Sequence, residues 1–78
     1  MSSSSLLPGS LGILYSNFLY DAYLPEIHAM SNIRMLDEVR IPSIVLAIIR
    51  KNGSDLVYNY VLAPGAVGWT FAHRVDDD

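Results

Sequence analysis

Two turn signals constrain this chain more than any other feature. Asn52-Gly53 separates two runs rich in β-branched and aromatic residues, 44–49 and 56–62. A tight hairpin turn needs positive φ at both central positions, which Asn and Gly tolerate best. Pro64-Gly65 follows, with Pro presetting φ and Gly supplying a positive value. Residues 43–75 therefore read as a three-stranded antiparallel meander. A two-residue turn at Asn52-Gly53 sets Arg50 opposite Asp55, Ile49 opposite Leu56, Ala47 opposite Tyr58 and Val45 opposite Tyr60. A tight turn at Pro64-Gly65 sets Tyr60 opposite Trp69, Tyr58 opposite Phe71, Leu56 opposite His73 and Asp55 opposite Arg74. Pro-Gly favours a type II turn, whose twist suits two-residue hairpins less well, so a bulge or longer loop would turn over the faces of the third strand.

Strand side chains alternate between faces. One face is expected to carry Val45, Ala47, Ile49, Leu56, Tyr58, Tyr60, Leu62, Val67, Trp69, Phe71 and His73. The other carries Ile44, Leu46, Ile48, Val57, Asn59, Val61, Gly68, Thr70 and Ala72. The first is aromatic and the second aliphatic and small. A sheet with one solvated face alternates apolar with polar; this one does not, so both faces require cover.

The N-terminal half offers helices for that role. Leu11, Leu14, Tyr15, Phe18, Leu19 and Ala22 share one helical face, and Ser10 is a suitable N-cap, which predicts a helix from Leu11 to Leu24. Pro25 ends it and can open a second helix reaching about Val39, with Ile27, Met30, Ile33 and Leu36 spaced by three. Pro42 then forces an extended Ile41 into the sheet. The expected architecture is α+β: one or two N-terminal helices packed on the meander. Residues 1–10 read as a flexible tail, 11–75 as one small domain and 76–78 as an acidic tail.

Seventy-eight residues, 51% hydrophobic and 17% charged, with no cysteine, cannot be stapled by disulfides, so self-association or docking into a larger assembly is the expected source of extra stability. The net charge of −3 with one lysine argues against a nucleic-acid partner, which requires a basic stripe. No apolar run is long enough to span a bilayer, and a secretory leader would need a basic start that is missing. A cytoplasmic location is the resulting expectation.

Sites are sparse. His28 and Glu26, two apart on a helix, point in different directions and form no dyad. Asp76, Asp77 and Asp78 read as solvated charge rather than a cation loop, and no metal or cofactor is expected. Asn52-Gly53-Ser54 matches a glycosylation triplet, but the turn already explains it. Tyr58, Tyr60, Trp69, Phe71 and His73 form the one candidate platform, for a protein interface or a ligand. The expected role is a non-enzymatic small subunit or interaction module, assembling through a sheet face or edge with itself or another protein chain. The competing expectation is a small dimeric enzyme or binding protein whose aromatic pocket takes an apolar ligand, with His73 as the weak catalytic candidate beside Tyr58 or Tyr60.

Overall fold

The computed structural model describes residues 6–23, 32–51, 53 and 55–77. Seven strands account for most of them: β1 (Leu11–Leu14), β2 (Phe18–Tyr20), β3 (Ile33–Met35), β4 (Ile41–Arg50), β5 (Val57–Ala63), β6 (Ala66–Phe71) and β7 (Val75–Asp77). They form one antiparallel sheet in the order β3-β2-β6-β5-β4-β1-β7. The α+β expectation is thereby overturned: the fold is nearly all β. β1 and β2 occupy the stretch that suggested a first helix. Ser16 breaks that stretch, its Oγ accepting a hydrogen bond from the Phe18 N–H at 3.1 Å. Such local side-chain bonds compete with helix and favour turns. Leu14 and Leu19, on either side of this turn, are both fully buried. The same apolar spacing thus serves strand, turn and strand. Of the second expected helix, 24–31 lies outside the described residues, and the remainder holds strand β3.

The meander is present as β4, β5 and β6. Pro64-Gly65 makes a tight turn with Ala63 opposite Ala66 and Gly65 at φ 81°. Tyr60 stands opposite Trp69 and Tyr58 opposite Phe71, as the turn requires. The first hairpin is longer than two residues: Arg50 faces Val57, and Ile49 faces Tyr58. The Lys51 N–H donates to the Leu56 carbonyl at 3.1 Å, closing the loop lower down. A bulge between Val45 and Ala47 then shifts the pairing once more. An inserted residue reverses the face of everything beyond it, so Val45 turns inward opposite Val61 and Ile44 turns outward opposite Leu62.

The sheet is curled, and chain length demands it. Leu14 and Phe18 are four Cα steps apart and can span at most about 14 Å. In a flat sheet β1 and β2 would be separated by four strand spacings, or about 19 Å. The same conflict holds from Phe71 to Val75, which joins β6 to β7. Only a sheet rolled toward closure satisfies both links. The crossing segments meet one another: the Tyr15 N–H donates to the Arg74 carbonyl at 2.6 Å, the Leu36 N–H to the Asn17 carbonyl at 2.9 Å, and the Arg40 guanidinium lies 5.9 Å from the centre of the Tyr15 ring.

Rolling encloses the aliphatic face. Leu14, Leu19, Ile41, Val45, Val61, Ala63 and Val75 form the core with Leu6, and Leu36, Ile48 and Ala66 pack against it. Each fully buried leucine contributes about 1.5–3 kcal/mol. Helices were expected to cover this face; the sheet covers it with itself. Leu6 joins the core from the N-terminal segment, and Asp76 and Asp77 belong to β7.

Candidate interaction surface

The outer face of the curled sheet carries the residues that the turn signals singled out. Ring contacts link them in a chain. Tyr60 and Trp69 are 4.8 Å apart by ring centroid, Tyr58 and Phe71 5.3 Å, and Phe71 and His73 5.6 Å in a stacked arrangement. Tyr23 then lies edge-on over this layer, 5.3 Å from Trp69 and 5.9 Å from Tyr58. Edge-to-face geometry suits the ring quadrupoles, and such pairs add about 0.5–1.5 kcal/mol each beyond area burial. Tyr58 is buried as a result, while Tyr60, Trp69 and Phe71 are half-buried.

His73 sits in the turn Ala72–Arg74, exposed, and touches Phe71. The strand ends before it, so it does not stand opposite Leu56. His28, Asn52, Ser54 and Asp78 lie outside the described residues. Among the described residues no three of His, Cys, Asp or Glu group together as metal ligands, and no helix is long and apolar enough to cross a membrane.

Tyr23 caps the aromatic rows but leaves another row bare. Leu11, Ile44, Leu62 and Val67 stand directly opposite one another across β1, β4, β5 and β6. Leu11 is 61% exposed, Leu62 44% and Val67 38%. Pro42 and Pro64 flank the row and, with Leu11, Ile44 and Leu62, line a groove of about 470 Å³. Exposed apolar side chains that are contiguous in this way mark interaction sites. Bulged Leu46 adds a further exposed leucine from the same strand. A second hollow, about 620 Å³, adjoins Leu62 and Val67 and has Asp21, Arg34 and Tyr60 in its wall. Arg34 Nε lies 3.6 Å from Asp21 Oδ1.

This bare row was invisible to the periodicity argument for a definite reason. Ile44 reaches it only through the bulge, and Leu11 only because β1 is a strand added beside β4. Tyr23 was likewise assigned to a helix, and nothing local places it on the sheet.

No family model matches the chain, and no curated protein or solved structure matches it significantly.

Proposed function

We propose that this chain is a non-enzymatic interaction module, a small cytoplasmic subunit that assembles with another copy or another protein through its outer sheet surface. The observation that supports this reading is the bare row Leu11–Ile44–Leu62–Val67. Four strands were brought side by side to make it, and their side chains remain in water at a cost of about 25 cal/mol per Å² of apolar area left unburied. The aromatic platform lies beside it on the same face as a rigid layer, since Tyr23 already occupies Tyr58 and Trp69.

Light scattering across a dilution series tests the proposal. The native chain should show a discrete assembly that dissociates on dilution. Leu62→Glu should weaken assembly at concentrations where the native chain assembles, with its circular dichroism unchanged. A native chain that is monomeric throughout and captures no protein partner would sink the reading.

A further inference from the structure

Both edges of the sheet are unpaired among the described residues, and they carry opposite charge: Arg34 at the centre of β3, Asp76 and Asp77 on β7. We propose that β7 of one copy adds to β3 of the next, in parallel, with Arg34 opposite Asp77. This rests on the interaction-module reading and names both the partner, a second copy, and the contact.

The hydrogen-bond phase of each edge can be worked out from its inner neighbour. On β3, the Asp21 N–H donates to the Asn32 carbonyl and the Leu36 N–H to the Asn17 carbonyl. Antiparallel pairs alternate between bonded and unbonded, so Arg34 bonds inward and Ile33 and Met35 present their N–H and C=O groups outward. On β7, the Tyr15 N–H donates to the Arg74 carbonyl; Asp76 therefore bonds inward, Asp77 presents both its groups outward and Val75 its carbonyl, the Val75 N–H being held by the Ala72 carbonyl.

Strand direction follows from the order. Neighbours alternate, and β3 and β7 stand at the two ends of seven strands, so they run the same way. A copy turned about an axis along the strands presents its β7 parallel to β3. Setting Arg34 opposite Asp77 then makes three bonds between outward groups: Ile33 N–H to the Val75 carbonyl, Asp77 N–H to the Ile33 carbonyl, and Met35 N–H to the Asp77 carbonyl.

Face parity agrees as well. Arg34 pairs with inward Leu19, and Asp77 with Gly12, on the side of Leu14. Both charged side chains therefore project from the same side of the extended sheet. Like edges repel: β3 on β3 sets arginine against arginine, and β7 on β7 sets aspartates together. Unlike edges attract, and a heterologous contact of this kind closes a ring or grows a filament. Asp21 competes for Arg34, but both side chains of that pair are well exposed and the contact is loose.

Charge reversal provides the test, with Leu62→Glu as a parallel sample. Arg34→Glu and Asp77→Arg should each weaken assembly at least tenfold by sedimentation. Mixing the two variants should restore it, because each pairs its reversed edge with the other's. Assembly unaffected by either reversal but lost in Leu62→Glu would overturn the edge contact and keep the face. Assembly lost in both reversals without rescue on mixing would also overturn it. A native chain monomeric at every concentration would overturn the edge contact, whereas capture of a different protein by that monomer would preserve the module reading.

Discussion

At the residue scale, the tightest constraint is Gly68. A Cβ there would lie 2.8 Å from the Tyr20 carbonyl oxygen and 2.9 Å from the Leu19 Cβ, where β2 crosses β6. Backbone cannot retreat cheaply, so Gly68→Ala should destabilise by about 1–3 kcal/mol in urea unfolding. Leu19, fully buried in a strand of three residues, should cost about 2–5 kcal/mol as Leu19→Ala. Asn59 behaves in the opposite sense. It is 3% exposed, and its Oδ1 has no hydrogen-bond partner among the described residues. Burying an unpaired acceptor is unfavourable, so Asn59→Leu, of the same branching, should be neutral or stabilising by about 1 kcal/mol. A clear loss of stability would show that the amide is held by its nitrogen. The identity of Gly68 as a glycine is plain in the sequence; its reason, a strand four places away in the sheet from β1, is not.

Among the elements, β4 carries the most. Its first residues pair with β1 and its later ones with β5, overlapping at Ile44. The bulge just past that overlap, between Val45 and Ala47, bends the strand and lets the sheet roll. Amide exchange should rank the elements accordingly. The amides of fully buried Val61 and of Val45, which donates to the Ser10 carbonyl at 3.0 Å, should exchange slowest, and those of β3 and β7 fastest among the strands. Slow exchange in β3 or β7 at high dilution would mean that these edges are held within one chain. The turns and the β5–β6 register were legible because Pro64-Gly65 specifies its pairing locally. The β4–β5 register was displaced because the Asn52-Gly53 loop spans more than its two central residues, and one bulge exchanged the faces of Val45 and Ile44. No local rule places a bulge.

For the whole molecule, the curl decides which surface is core and which is free. Assembly through charged edges should weaken as salt rises, because exposed charge pairs are screened beyond about 8–10 Å at moderate ionic strength. Assembly through the apolar row should hold or strengthen instead, and light scattering at several salt concentrations separates the two. What the sequence by itself determined is what neighbours in the chain dictate: the Pro64-Gly65 turn, the place of the first hairpin, the alternation along β5 and β6, the aromatic layer and the absence of thiol chemistry. What only the tertiary structure decided is whether 11–24 is helix or strand, which strands lie together and where the bare row falls. The apolar spacing around Leu14 and Leu19 satisfies either period, and the pairing that chooses between them comes from β4 and β6, far along the chain. Long-range pairing resolved what the local pattern left degenerate.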